Sequence, residues 1–399
     1  LDLFAQGYFA REENINRTPD PTSEIVATGG VISEYTDPGS GNIYRAHVFT
    51  STGEFDVTSI GSLPASVEYL LVGGGGGTGL YSGGGAGGAF VSSLTVGIAT
   101  YTITVGGGGQ AYGPGTDNNT VAGNGNSSTI ASPSITTITA YGGGGGTVNA
   151  GSGGPGASGG GGGYTGTGGV GNKQTGTNTN IPSPLQPQGN DGGDGSDPGA
   201  PNYGGGGGGG AGGGGADGTP TAGGLGGIGI SNLYAGPEND SVGAPGPSPG
   251  RWFAGGGGGG SYQGGSGAAG GGSGGPYAGG GAGKPGSSNT RGDDGVAGTG
   301  GGAGGTGYTS GTNVGGAHGG SGVAILRYQI FETSTAKATG GSVSFYGSKT
   351  IHTFTNSGTF ENTSGSPLSF KYFAIAGGGG RVVNNPVGSI TGGGGGAGG

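Results

Sequence analysis

The sequence predicts a mainly β protein in which short antiparallel β-strands at the ends of a module enclose a bundle of polyglycine-II helices, with essentially no α-helix. Three observations predict this fold class. Glycine accounts for 123 of the 399 residues and stands in solid runs such as 204–210 and 255–260. Residues with high β propensity cluster before and after these runs, and no segment repeats its apolar residues with a helical period. Stretches of sequence also recur, which indicates tandem repeat modules.

The glycine runs have one ordered arrangement that needs no side chains. Only 29% of the residues are hydrophobic and 8% are charged, a composition that is ordinarily typical of disorder. Collagen is excluded because it needs glycine at every third position together with abundant proline. Polyglycine-II helices lack Cβ atoms, so they can approach until the N–H and C=O groups of neighbouring helices pair. A seven-residue run would span about 22 Å, and each hydrogen bond would contribute on the order of 1 kcal/mol.

The β-forming segments open the module and close it. They are rich in Val, Ile, Thr, Tyr and Phe, and Asp37-Pro38-Gly39 supplies a turn. Residues 129–141 offer one or two further strands, and the apolar run 323–328 is typical of a buried closing strand. The predicted opening strands are 44–49, 55–59, 67–72, 89–96 and 100–105.

The opening of the module recurs after about 300 residues. Residues 27–55 carry ATGG followed by HVFTSTGEF, and residues 338–360 carry ATGG followed by HTFTNSGTF. The EYLLVG of residues 68–73 has its counterpart in the KYFAIAG of residues 371–377. We therefore expect a longer tandem array, of which this chain holds one full module and the start of another.

The expected domain organisation follows from these boundaries. Residues 1–26 are a linker or the end of a preceding module, with residues 1–13 forming a short helix or part of that linker. Residues 27–141 are the β-rich start of module 1 with its first glycine runs. The polyglycine-II region covers 142–320 and is interrupted by inserts at 172–201 and 231–253. A closing β-strand at 321–330 precedes the second, truncated module at 331–399.

Several glycine runs have a tyrosine beside them, and we interpret these tyrosines as lids along the lattice edge: Tyr141, Tyr203, Tyr262, Tyr277 and Tyr308.

Three pieces of this sequence carry a family resemblance: the ATGG…HxFTxxGxF opening at 27–55, the EYLLVGGGGG step at 68–77 and the GGSGVAILRY strand at 319–328. In these the chain resembles glycine-rich tail-fibre and structural proteins of tailed bacteriophages, especially marine ones. It is also similar in architecture to phage adhesins whose tips are polyglycine-II bundles with variable loops at the bundle end. The resemblance implies a location in the virion and a role as a spacer or in host attachment. It assigns no individual binding residue.

One segment of the second insert is a candidate for surface recognition. Arg251, Trp252 and Phe253 place the one tryptophan of the chain between a cation and a second aromatic ring, in an expected loop, with Tyr234 as a companion. Tryptophan and arginine are enriched at binding hot spots, and a flat ring beside a hydrogen-bond donor suits a sugar. The alternative is that Trp252 plugs the end of the bundle as a small hydrophobic cap.

Other chemistry-bearing residues favour structural interpretations. Asp194 and Asp197 lie in a GGDGSD segment that matches the start of a calcium-binding nonapeptide, but a single copy is better explained as an acidic surface turn. His47 and His352 occupy equivalent places beside an aromatic residue, which indicates hydrogen bonds within a sheet. We predict no catalytic residue, no cofactor and no metal site beyond the weak calcium candidate, and hence a protein that is not an enzyme.

Charge and composition restrict the partners. The net charge is −9 and no block of lysine or arginine is present, which argues against nucleic acid. No stretch approaches the ~20 apolar residues of a membrane span, and the absence of cysteine excludes disulfides. The expected partners are further copies of the chain, as a homo-oligomer such as a trimer, and a host cell-surface glycan or protein.

The leading functional hypothesis is a virion fibre module that acts as a rigid spacer, a host-recognition element, or both. The alternative is a subunit of a self-associating extracellular bacterial filament or matrix. An ice-binding protein is a third hypothesis, which the irregular tyrosines and inserts disfavour because ice binding needs a regular face of short residues.

Overall fold

A computed structural model of the chain describes residues 24–61, 65–113, 121–171, 188–199, 203–237, 239, 241–248, 250–273, 275–287, 289–311, 314–331, 338–346, 349–354, 357–363 and 365–375. The predictions for residues 1–23, for most of the insert 172–201 and for the glycines from residue 377 onward lie outside these ranges. Within them the chain is all-β and has no helix, so the described part contains no helix able to cross a membrane.

The strands confirm the mainly β prediction. In chain order they are β1 (Val26–Thr28), β2 (Val31–Thr36), β3 (Ile43–Phe49), β4 (Gly53–Ser59), β5 (Ser66–Val72), β6 (Ala89–Thr95), β7 (Ala99–Thr104), β8 (Ser128–Ala131), β9 (Ile138–Ala140), β10 (Ile230–Ser231), β11 (Trp252–Phe253), β12 (Val323–Phe331), β13 (Ala338–Thr339), β14 (Ser342–Tyr346), β15 (Lys349–Thr353) and β16 (Glu361–Asn362). The predicted opening strands match β3 to β7 to within two residues at each end, whereas β1 and β2 were not predicted.

Two five-stranded antiparallel sheets face each other across a first apolar core. Their strand orders are β1-β4-β7-β8-β9 and β2-β3-β12-β5-β6. Side chains alternate between the two faces of a strand, so β4 turns Phe55 and Val57 inward and its polar residues outward. These meet Leu71 and Leu326 from the second sheet. Ile25 joins the same core at 1% exposure, so this sandwich begins before residue 27, where its start was predicted.

The central strands of the second sheet, β5 and β12, are buried on both faces. Leu70 of β5 and Ile325 of β12 point away from the first core into a second one. The described residues of the segment 230–254 cover that face, with Phe253 at 1% exposure among the residues of this second core. The near-continuous apolar sequences of β5 and β12 are thereby explained, because a strand covered on both faces has no polar side.

The glycine runs are three-residue-per-turn helices whose successive amides point to three different neighbours. In the run 73–78, residues 73 and 76 donate to carbonyls of 85–88, residues 74 and 77 to those of 123–126, and residues 75 and 78 to those of 317–320, all at 2.8–2.9 Å. A repeat of three residues is the period of a polyglycine-II helix. These hydrogen bonds form the backbone lattice that the composition predicted.

The inner runs of this lattice have six neighbouring runs each. Residues 83–88 donate to three runs, around residues 141–144, 206–209 and 300–303, and accept from three others, around 73–76, 158–161 and 257. The runs 204–210 and 256–260 are surrounded in the same way. Each inner helix therefore lies in a hexagonal bundle in which the peptide groups themselves hold neighbouring helices together.

Most interior positions of this bundle accept only glycine, although Ala86 and Ala303 are also fully buried in it. A Cβ atom on Gly85 would lie 2.2 Å from the carbonyl oxygen of Ser158, and one on Gly84 would lie 2.2 Å from that of Gly76. Both separations are far inside van der Waals contact. At the bundle surface the requirement is relaxed, because a Cβ on Gly107 would meet nothing nearer than an Asn126 side-chain nitrogen at 3.7 Å.

The pair Gly85→Ala and Gly107→Ala tests this packing. We expect Gly85→Ala to lower the free energy of unfolding by at least about 2 kcal/mol, since the new methyl group forces helices apart. Gly107→Ala should stay within about 0.5 kcal/mol of the wild type. Urea denaturation of both variants measures the difference, and equal stabilities would contradict a close-packed bundle.

A buried histidine fixes the turn that opens the sandwich. The His47 side chain is fully buried, with Nδ1 2.7 Å from the carbonyl oxygen of Gly29 and Nε2 3.2 Å from the hydroxyl of Tyr328. Nδ1 therefore donates to Gly29 and Nε2 accepts from Tyr328. Burial lowers the pKa of His47 to about 4, so the imidazole is neutral at pH 7.

The same local geometry recurs at the opening of the second predicted module. Nδ1 of His352 lies 2.7 Å from the carbonyl oxygen of Gly340. The φ of Gly340 is 105°, against 107° at Gly29, and only glycine adopts such values readily. The tandem organisation of whole modules stays a prediction.

The depressed pKa of His47 predicts a pH-dependent stability. Between pH 6.5 and about pH 4, the imidazole of His47 is protonated in the unfolded chain and neutral in the folded protein. The stability that the neutral ring contributes is therefore complete above pH 6.5 and is lost as the pH falls toward 4, by roughly 3 kcal/mol. We expect the difference in unfolding free energy between wild type and His47→Gln to change by this amount between pH 7 and pH 4. A difference that is independent of pH would show that His47 is not buried in its neutral form.

Candidate functional site: the tyrosine end of the bundle

The glycine helices connect the sheets to an aromatic end. The run that leaves β5 reaches Leu80 and Tyr81, turns, and returns as the run that enters β6. Other helices end at tyrosines on the same side, far from the sheets. We call this set the tyrosine cluster: Tyr81, Tyr112, Tyr164, Tyr203, Tyr262 and Tyr308.

Four rings of the tyrosine cluster stand in a row. The ring centroids of Tyr164 and Tyr203 are 4.6 Å apart, those of Tyr203 and Tyr262 are 5.3 Å apart, and those of Tyr262 and Tyr308 are 5.8 Å apart, with interplanar angles of 25–34°. Offset stacks of this kind contribute roughly 0.5–1.5 kcal/mol per pair beyond the burial of area. The row is therefore an ordered surface.

Tyr81 packs against the buried side of the row. Its ring is 3% exposed and lies 6.1–6.3 Å from the rings of Tyr164, Tyr262 and Tyr308, nearly perpendicular to each. Its backbone N–H donates to the carbonyl of Thr306 at 3.2 Å, and its own carbonyl accepts from Gly260. The aromatic row is thus fastened to the backbone lattice through one residue.

The turns at this end hold strained backbone. Tyr81, Asn149 and Gln263 have φ values of 68°, 56° and 34°, in the left-handed region that side chains with a Cβ seldom occupy. Strain of this kind persists where the surroundings over-determine the conformation, and it concentrates at functional sites. The geometry of the tyrosine end is accordingly imposed by the lattice.

The phenol groups lie among polar groups. Gln263 donates from Nε2 to the Tyr262 hydroxyl at 3.0 Å, and the Tyr308 hydroxyl donates to the carbonyl of Gly311 at 2.6 Å. Partial desolvation and the nearby carboxylate of Asp197 raise the pKa of Tyr203. The hydroxyl of Tyr203 therefore stays protonated at neutral pH and remains a hydrogen-bond donor.

The residues predicted for surface recognition lie at the opposite end, beside the sheets. Phe253 is buried in the second core, and Trp252 covers Gly246 and donates from Nε1 to the carbonyl of Ser248 at 3.1 Å. Trp252 and Phe253 form the short strand β11 instead of the expected loop, because they pair with β10. The carbonyl of Arg251 accepts from the amide of Asn232 at 2.9 Å.

Tyr234, the predicted companion of Trp252, stacks on a buried cation. The guanidinium of Arg327 lies 4.1 Å from the ring centroid of Tyr234 and 4.2 Å from that of Tyr44. Arg327 also donates to Asp37 and Glu68, each at 2.8 Å. This arrangement gives Tyr234 a structural contact on the sheet, and the recognition role stays a prediction.

The weak calcium candidates bind backbone amides. Asp194 Oδ1 accepts from the amide of Gly168 at 2.7 Å, and Asp197 Oδ1 accepts from that of Gly199 at 2.8 Å. Within the described ranges, no group of three or more histidine or acidic side chains is placed to hold a metal ion. At the lattice edge, the Asp194 carboxylate accepts the amide hydrogen bond that the carbonyl of another glycine helix accepts in the interior. This role is compatible with an acidic surface turn.

The sequence predicted part of the tyrosine cluster. Tyr203, Tyr262 and Tyr308 were interpreted as lids, and the structure brings them together. Tyr141, also interpreted as a lid, directly follows β9 and lies at the sheet end. Tyr81 was missed, although a run that leaves a strand must end far from the sheet. The direction of each run is the signal that separates the two ends.

The fold and this end surface define a class of protein: a scaffold of backbone-bonded glycine helices that is built on a β-sandwich and ends in aromatic residues. The chain belongs to the glycine-rich domain family, whose match covers residues 50–329. That range runs from the end of β3 into β12 and includes the whole bundle. A comparison with curated proteins finds no match.

Tyr81 is the residue to test at this end. We expect Tyr81→Ala to cost about 3–4 kcal/mol of unfolding free energy, because removal of the ring leaves a cavity under the row. Tyr81→Gly loses the same ring but relieves the left-handed backbone, so it should be about 0.5–1 kcal/mol more stable than Tyr81→Ala. Urea denaturation compares the two variants. A glycine variant that is no more stable than the alanine variant would contradict the strained turn.

Proposed function

We propose that this chain is a non-enzymatic structural module of a virion fibre, in which the glycine bundle is a rigid spacer and the tyrosine cluster is the face presented to the host. One observation carries the proposal: inner helices bonded to six neighbours hold an aromatic surface at a fixed distance from a β-sandwich. At about 3.1 Å per residue, the seven residues of 204–210 set that distance near 22 Å.

The polar groups in the interior support a structural role. His47 is neutral and bonded on both ring nitrogens, and Arg327 is bonded to two carboxylates and a phenol. These buried groups hold elements of the sandwich together and present no reactive atom to a substrate. The resemblance to phage tail-fibre proteins supports the virion location, and the expected partners are further copies of the chain and a host cell-surface glycan or protein.

A self-associating extracellular filament is the second candidate, because one apolar segment has no cover in the described structure. Phe370, Tyr372, Phe373 and Ile375 are 63%, 85%, 88% and 69% exposed. Their counterparts in β5 are buried between β12 and β6. Later strands of the same module would cover this segment in a longer array, and a strand donated by another copy would cover it by the same antiparallel pairing, which is the contact that a filament needs.

Immunogold labelling separates the two functions. Antibodies raised against the purified chain are applied to the virion and cell-envelope fractions of a culture in which the gene is expressed. We expect gold particles on the fibres of tailed particles. Label on filaments attached to cells would overturn the fibre proposal in favour of the filament, and label on neither would overturn both.

A further inference from the structure

We infer that the tyrosine cluster binds uncharged polysaccharide. This inference rests on the proposed function, since it names the class of ligand that the exposed face of the module would contact. Its support comes from three properties of the cluster: the arrangement of the rings, the charges beside them and the rigidity of their base.

The rings form an extended platform with few other apolar groups. Tyr164, Tyr203, Tyr262 and Tyr308 are partly exposed and follow one another at separations of 4.6–5.8 Å. Because neighbouring rings stack on one another, the row presents mainly ring edges and hydroxyls, which give the C–H groups of a sugar an apolar contact and its hydroxyl groups hydrogen-bond partners. A row of four such rings can contact several consecutive sugars, so a polymer gains more from this platform than a single sugar does.

The charges near the row disfavour anionic ligands. The antiparallel bridge between Ser196 and Gly204 places Asp197 beside Tyr203, where desolvation and the added negative charge of Asp197 raise the pKa of Tyr203. Among the residues that the structure describes, the two lysine or arginine side chains on this side of the bundle are neutralised, because Lys284 pairs with Asp293 at 2.6 Å and Arg291 pairs with Asp294. Nucleic acid and acidic polysaccharides need a cationic surface, which these pairs do not supply.

The platform is rigid before any ligand arrives. Tyr81 holds the row from below and is itself bonded to Thr306 and Gly260 of the lattice. Binding to a preorganised surface avoids the entropy cost of ordering side chains and loops. Weak contacts repeated along a polymer can therefore sum to a useful affinity.

Affinity electrophoresis of the whole chain tests the inference. Native gels contain dextran, mannan, mixed-linkage β-glucan or galactan as uncharged probes, and alginate or heparin as charged probes. We expect at least one uncharged polysaccharide to retard the wild type. Tyr203→Ala and Tyr262→Ala should raise the dissociation constant about tenfold each, as loss of one stacking ring does. Tyr203→Phe keeps the ring and should lose less than Tyr203→Ala.

Tyr141→Ala is the matched control. Tyr141 also borders a glycine run, but it lies at the sheet end, with its amide bonded to Gln188 and its carbonyl to Gly88. This variant should be retarded like the wild type. Far-UV circular dichroism of every variant confirms that a loss of retardation reflects the binding face and not unfolding.

Several outcomes would overturn the inference. They are retardation by none of the uncharged probes, retardation by the charged probes alone, or retardation that survives both tyrosine variants and disappears in Trp252→Ala. The last result would place recognition at the sheet end. Virions that carry gold label together with a failed gel experiment would leave the fibre function standing and reject only this ligand class.

Discussion

The whole molecule depends on one constraint: the peptide groups of its glycine helices must satisfy one another. Each inner helix donates along three directions and accepts along three others, so a Cβ added at an inner glycine such as Gly84 or Gly85 meets a carbonyl oxygen near 2 Å. This explains how a chain with so few apolar residues can fold. At the lattice edge, side-chain oxygens such as those of Asn124 and Asp194 take the place of absent carbonyls.

The two apolar cores give this lattice its fixed base. The first core joins two sheets through ordinary alternation of inward and outward residues, and the second core joins one sheet to residues 230–254. Because β5 and β12 lie between both cores, and because β5 leads into one glycine run and β12 follows another, the position of these helices is set by the sandwich. The stiffness of the tyrosine end therefore originates in the packing of the sheet end. A spacer requires this property.

The sequence predicted the features that local pattern determines. Solid glycine runs and alternating β-forming residues identified the bundle and β3 to β7. It did not predict the burial of Phe253, because the apolar residues of 230–254 are sparse and their core forms only when a distant sheet supplies Leu70 and Ile325. The tyrosine cluster was predicted in part for a related reason. Tyrosines far apart in sequence come into contact only because antiparallel runs bring their ends together, and no local sequence pattern indicates that contact.

Hydrogen exchange of the glycine amides tests the bonded lattice most directly. In a protein labelled with 15N-glycine and transferred to D2O, the account predicts that most glycine signals persist long after those of an unstructured peptide have vanished, including consecutive residues within one run. Rapid loss of these signals would contradict it, because the runs would then be solvated loops. Protection of every second glycine alone would contradict it as well, since that is the pattern of an edge strand and not of a helix bonded in three directions.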